Sequence, residues 1–291
     1  MTAASLAAHP PAPGDGPLPP DLATVAQAAE AAIQRGEDHG WSVADLDWAA
    51  IRPELLTEAD VSVVRFITFI EDHIPGYVTA LLHAFPVDGA EHDLPVVALN
   101  REYFRFFIAW AHDEERHASA LTRYQETAGL ADPRQLRLDL AAEGRKHMTL
   151  PYLEPLEIFT YTMLQEKATQ LFYQQFRGAI SEPALRELLL RLGRDEARHF
   201  AFYSHLVEEY LRRDPAAAAP HLKEVLRTFR MPLAETLPRY RRWSQEVAAT
   251  AGYDHRQSYL ALERLVDSYT RTAGDSLDEV AALLRAARSL P

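Results

Sequence analysis

Two short phrases in the chain carry the same chemistry, DEERH at 113–117 and DEARH at 195–199, 82 residues apart. Glu114 and His117 stand three apart, as do Glu196 and His199, and residues at that spacing share one face of a helix. A carboxylate and an imidazole so placed offer one oxygen and one nitrogen ligand to the same ion. Both faces are apolar ones. Phe107, Trp110 and Leu121 fall on the stripe of Glu114, and Leu189, Leu192 and Tyr203 on that of Glu196. Two more glutamates occupy equally awkward positions. Glu71, in RFITFIEDHIPGY, lies in register with Ile67 and Ile74, and Glu166, in YTMLQEKATQLFYQQF, with Phe159, Met163, Thr169 and Tyr173.

Burying four carboxylates is prohibitive unless positive charge sits among them, because an unpaired buried ion costs several kcal/mol even after relaxation. Two divalent cations would balance the four charges. One Glu from each of two helices with a Glu-x-x-His from each of two others is the ligand set of ferritin-like di-iron and di-manganese bundles. Oxygen-rich ligation with only two imidazoles favours iron or manganese over zinc, and the zinc-protease pattern HExxH is absent. The leading aspartates then acquire a role, since a metal-bound imidazole usually donates its other N–H to a carboxylate. In an antiparallel pair of ligand helices Asp195 would serve His117, and Asp113 would serve His199. Arg116 and Arg198 fit equally well as neutralisers of nearby acid and as ordinary surface ion pairs.

Such a set needs long helices to position it. Helical periodicity runs nearly throughout from Asp21, and the pattern predicts helices near 21–35, 58–86, 98–128, 133–147, 154–180, 182–212, 217–229, 232–250, 256–272 and 276–289. Those at 58–86, 98–128, 154–180 and 182–212 carry the ligands and far exceed the average helix of about 11–12 residues. Pro75 is expected to kink the first of them. The expected fold is all-α: a ferritin-like four-helix bundle with a di-metal site in its core and additional N- and C-terminal helices, forming one domain over 21–291. Residues 1–20, rich in Pro, Ala and Gly, read as a flexible tail.

Composition is consistent with this reading. Of 291 residues 47% are apolar, enough for a sizeable core, and the absence of cysteine excludes disulfides, thiolate metal sites and a cysteine nucleophile. A net charge of −12 argues against a general nucleic-acid binder. Neither a signal peptide nor a membrane-spanning run is discernible, so the cytoplasm is the expected compartment.

The stretches IEDHIPGY, WAHDEERH, LQEKAT and RDEARH resemble, in order and approximate spacing, the metal-binding segments of the soluble acyl-[acyl carrier protein] desaturases. The likeness runs from about residue 58 to 285 and includes FRMP at 229–232 and AGYDHRQSYLALERLVDSY at 251–269. It implies that Glu71 and Glu166 are terminal carboxylates, that Glu114 and Glu196 bridge, and that His117 and His199 complete one iron each. Trp110, seven before His117, resembles a tryptophan on the family's electron route, although an ordinary core aromatic accounts for it as well. Thr169 resembles a threonine that assists oxygen activation; its alternative is a helix threonine bonded to its own backbone. GWSVADLDWAA matches the family's N-terminal aromatic segment only loosely and leaves Trp41 and Trp48 undistinguished. Ile70 stands where plant members carry a polar residue.

The resemblance further implies O2-dependent desaturation of a carrier-bound acyl chain, and a homodimer. Two electrons must come from outside, because the chain has no dinucleotide fingerprint and no cysteine for a cluster; a ferredoxin or similar donor is implied. Inward Phe, Tyr, Leu and Met residues would line an apolar channel or simply form core. An acyl carrier protein is acidic, and the dense basic stretch PRYRRW, with Arg239, Arg241 and Arg242, is the candidate patch for it, against a merely solvated face. Two other functions stay open: another di-iron oxidation, by hydroxylation or N-oxygenation, and iron storage or a non-catalytic bundle. Storage is disfavoured by the helices beyond 217.

Overall fold

The computed structural model describes residues 16–234, 237 and 240–289, without the side chains of His255 and Thr272. Eleven helices and four short 3-10 turns make up the described residues, and no strand occurs among them. Helix α1 spans Leu22–His39, α2 Glu58–Glu71, α3 Ile74–Ala84, α4 Leu94–Thr127, α5 Pro133–Gly144 and α6 Pro155–Ala179. Then follow α7 at Pro183–Arg213, α8 at Pro215–Thr228, α9 at Tyr240–Ala251, α10 at His255–Ala273 and α11 at Asp278–Arg288.

Proline punctuates this chain by starting helices. It occupies the first turn of α3 through α8, where its missing N–H would have had no helical partner. The segment expected as one kinked helix over 58–86 is instead two. Pro75 clashes with the carbonyl four residues back, that of Glu71, and α2 ends there. His73, in the junction, turns Nδ1 onto the Phe69 carbonyl at 2.7 Å, which satisfies one orphaned acceptor of the helix end. The helix expected over 232–250 likewise begins only at Tyr240; Leu233, at φ 63°, turns the chain before it. Of the expected tail, residues 1–15 lie outside the described residues, and Pro17 and Pro20 are buried.

Helices α2, α4, α6 and α7 form the bundle, with α6 and α7 joined by residues 180–182 only. Phe106 stacks on Phe202 at 3.5 Å, while Asp113 meets His199 and His117 meets Asp195. Positions rising along α4 therefore pair with positions falling along α7, and the two run antiparallel. Around this core α1 packs on α4 and α7, α9 on α2, α8 and α10 on the α6–α7 hairpin, and α11 on α8 and α10.

The buried apolar side chains fall into two clusters. One takes Tyr103 to Trp110 of α4 and Phe202 to Leu211 of α7; the other takes Ala120 to Tyr124 of α4 and Leu185 to Leu192 of α7. Between them on both helices lie the repeated phrases. The two apolar clusters thus close off a polar layer from either end. The aromatic residues that could have lined a channel are packed on each other as core, with Phe85 on Phe159 at 5.2 Å and Tyr103 on Phe159 at 4.9 Å.

Candidate metal centre

The structure brings the six residues expected as ligands into one buried constellation. Glu71, Glu114, His117, Glu166, Glu196 and His199 are each at most 8% exposed. His117 Nδ1 faces three carboxylates, with Glu71 Oε2 at 3.6 Å, Glu114 Oε2 at 3.5 Å and Glu196 Oε1 at 3.6 Å. His199 Nδ1 faces Glu114 Oε1 at 3.0 Å, Glu166 Oε2 at 3.5 Å and Glu196 Oε2 at 3.6 Å. Glu114 and Glu196 each turn one oxygen to one imidazole and the other oxygen to the other. Two four-residue groups result, sharing these two glutamates, with ligand atoms within 4.8 Å of one another in each.

Both Nδ1 atoms are buried without a hydrogen-bond partner. That is the test of fit: two orphaned imidazole nitrogens, each ringed by carboxylate oxygens, form two adjacent sites for hard or borderline divalent ions. The opposite ring nitrogens are engaged. His117 Nε2 lies 3.0 Å from Asp195 Oδ2 and His199 Nε2 lies 3.2 Å from Asp113 Oδ2. A carboxylate can only accept, so Nε2 carries a proton, and Nδ1 is the nitrogen turned into the cluster.

The arginines of the repeat complete a ring. Arg116 reaches Asp113 at 2.6 Å and Asp195 at 2.9 Å; Arg198 reaches Asp195 at 2.6 Å and Asp113 at 3.2 Å. Their side chains are only 9% and 14% exposed, so these are not surface ion pairs. Burial alone would raise the Asp195 carboxyl, but His117 and the two arginines outweigh it and hold it below the usual range. Burial likewise works against Glu114, and the imidazoles on either side hold it low. Desolvation pushes Glu71 up to about 7, and desolvation with Glu114 and Glu166 pushes Glu196 well above its ordinary value. The carboxylates that face them carry both imidazoles well above their ordinary values against desolvation.

Trp110 is 2% exposed and donates its indole N–H to Glu166 Oε1 at 3.2 Å. Thr169 is half-buried one turn beyond Glu166, and among the described residues its hydroxyl makes no hydrogen bond, to backbone or otherwise. Trp41 and Trp48 are now distinguished. Trp48 donates to the Val43 carbonyl under Arg123, a local contact. Trp41 donates to Asp195 Oδ2 at 2.8 Å, stacks on His117 at 6.5 Å between centroids, and lies under Arg116 and Arg191. It lines a 750 Å³ cleft, shared with Ile108, Asp113, Arg116, Arg198 and His199, that opens to solvent. Tyr173 was also missed as a site residue. Its hydroxyl donates to Glu71 Oε1, and the signal available was its register two turns from Glu166.

The basic stretch lies apart from this centre. Arg239 is outside the described residues; Arg241 and Arg242 are exposed on α9, and Arg242 pairs with Glu246 at 2.9 Å. Trp243 of the same stretch faces inward, donating to Ser62 and packing on Phe66.

An all-helical bundle whose core gathers two histidine sites around shared glutamates defines the ferritin-like class of di-metal carboxylate proteins. Within it the chain belongs to the fatty acid desaturase family, whose profile matches residues 42–287. It is similar to DesA1 of Mycobacterium tuberculosis, named as an acyl-[acyl-carrier-protein] desaturase, with 26% identity over 218 residues, 72% of this chain and 60% of that protein. The match thus spans less than two thirds of that relative's length. Among solved structures it is similar to DesA2 of Mycobacterium tuberculosis H37Rv, at a TM-score of 0.63 and 18% identity, covering 89% of this chain and 98% of that one. A variant of an R2-like ligand-binding oxidase reconstituted with a Mn/Fe cofactor shares the fold at a TM-score of 0.52 and 17% identity, covering 91% of each chain. Among the described residues, no helix is long and apolar enough to cross a membrane.

Proposed function

We propose that this chain is an O2-dependent desaturase that holds two iron ions, or manganese, and introduces a double bond into an acyl chain carried by an acyl carrier protein. The observation that carries the reading is the division of Glu114 and Glu196 between two histidine sites, in a chain of this family. In it Glu71 and His117 would hold one ion, Glu166 and His199 the other, and Glu114 and Glu196 would serve both. Two redox-active ions so held supply the oxidising power, with O2, to remove two vicinal hydrogens from an unactivated chain.

The protein's own groups do the rest. Asp195 and Asp113 hold the imidazole protons on Nε2 and aim Nδ1 inward. The apolar clusters above and below exclude water, which strengthens every charge interaction between them. Trp110 orients Glu166. Thr169, whose hydroxyl is free to donate, is the residue proposed to assist oxygen activation. Two electrons come from a ferredoxin-type donor, and the link from half-buried Trp41 through Asp195 to His117 is the route proposed for them. A homodimer is the proposed assembly, and Arg241 and Arg242 with Arg239 the proposed carrier-protein patch.

The test incubates iron-loaded protein with reductant, O2 and a panel of carrier-bound acyl chains, followed by mass spectrometry. Loss of two hydrogens is the expected outcome. Gain of one oxygen atom would replace desaturation with oxygen insertion, and stoichiometric iron without O2-dependent turnover would replace it with storage.

A further inference from the structure

The outer carboxylates of the centre are treated alike in geometry and differently in chemistry. Glu166 gives Oε1 to the Trp110 indole and turns Oε2 toward His199 Nδ1 at 3.5 Å. Glu71 gives Oε1 to the Tyr173 phenol and turns Oε2 toward His117 Nδ1 at 3.6 Å. Resting on the di-metal reading above, we infer that Tyr173 is a positioning residue that confines Glu71 to single-oxygen ligation on the His117 side and so keeps a coordination position there free for a small ligand.

A carboxylate that chelates one ion must bring both oxygens to it. For Glu71 this would turn Oε1 away from the phenol and break the hydrogen bond. The phenol is poorly able to follow. Tyr173 is 1% exposed, and α7 approaches it at Gly193, where an added Cβ would sit 3.6 Å from the Tyr173 Cβ. The phenol carries its proton near neutral pH as tyrosines ordinarily do, and it donates to a carboxylate oxygen that can only accept. Tyr77 and Tyr203 are also buried near glutamates of the centre, yet their hydroxyls have no partner among the described residues. Tyr173 is therefore distinguished from its aromatic neighbours by what its hydroxyl touches.

Cobalt(II) alone is the probe, because its visible ligand-field bands weaken with each added donor as coordination rises from four through five to six. Wild-type protein loaded with cobalt should bind two ions per chain. Tyr173→Phe, which removes only the hydroxyl, should bind the same number and show the same helical circular dichroism, with band intensity lost from one of the two ions. Tyr173→His, which retains an N–H donor, should keep the wild-type bands. A Tyr173→Phe spectrum identical to wild type overturns the inference while leaving the centre intact, and so does a Tyr173→His spectrum that falls as far as that of Tyr173→Phe. If Tyr173→Phe does not fold, Tyr173→His alone decides: retained bands support the tether and lost bands overturn it. Wild-type protein that fails to bind two ions overturns the di-metal reading itself, and the inference with it.

Discussion

The two halves of the centre match in ligands and differ in surroundings. On the His199 side, Asp113 accepts from His199 and the two arginines, and the nearest tryptophan, Trp110, stays inside the core. On the His117 side, Asp195 also takes the Trp41 indole, which reaches the solvent cleft. The difference teaches that the duplicated phrase builds a symmetric pocket for ions, whereas the residues around it give the pocket a direction. Only the His117 half has an indole N–H on the aspartate behind its imidazole, although the cleft that Trp41 lines also reaches Asp113 and His199.

The largest effect expected should erase both halves together. Glu114→Ala or Glu196→Ala removes a ligand common to both sites, so metal content should fall from two ions per chain toward none and turnover below detection. Either variant retaining two ions would separate the halves and undo the shared-ligand description. Removing the metal from wild type should also lower the melting temperature, since a ligand that binds only the folded state contributes about 1.4 kcal/mol for each tenfold excess over Kd.

Next in size are the aspartates. Asp195→Asn and Asp113→Asn should each weaken metal affinity by about 10–100-fold in a chelator competition. Asp195→Asn should be the more damaging, because it disturbs Trp41 as well. Equal losses would mean that the asymmetry of the surroundings does not reach the ions. Trp41→Phe should be smaller again: full metal content, unchanged single turnover by pre-reduced protein, and slower reduction by a protein donor. Rapid-mixing spectroscopy separates these, and a normal reduction rate would remove Trp41 from the electron route. The smallest effect belongs to the basic stretch. Arg241→Glu with Arg242→Glu should weaken carrier-protein affinity by less than about tenfold, as exposed charges do, and flatten its salt dependence; unchanged binding on a sensor surface would dismiss the patch.

How far the sequence disclosed this arrangement depended on distance along the chain. Helix type and the inward set of glutamates and histidines were legible because a 3.6-residue period converts spacing into direction. The crossing of Asp195 to His117 and Asp113 to His199 was legible too, once antiparallel symmetry was assumed. The two-helix form of 58–84 was less so, for the same Pro75 can kink a helix or end it, and the outcome rests on whether His73 and its neighbours can satisfy the broken ladder. Trp41 could not be told from Trp48, because Trp41 lies in irregular backbone and Trp48 in a short 3-10 turn, where orientation follows packing rather than period. The arginines were ambiguous for another reason: a buried ring and a surface pair have the same spacing, and only burial distinguishes them.

On the proposed di-metal reading, that ring should tie the loading of one ion to that of the other. Each aspartate belongs to the helix of one histidine and steadies the other, and each arginine grips both aspartates. An ion arriving on either side therefore stiffens ligands on both helices, and the second should bind to a pocket already ordered. Uptake should be positively cooperative, with a sigmoidal titration and little singly loaded protein at half saturation. The doubled phrase, on this view, is less a pair of sites than a latch that closes once.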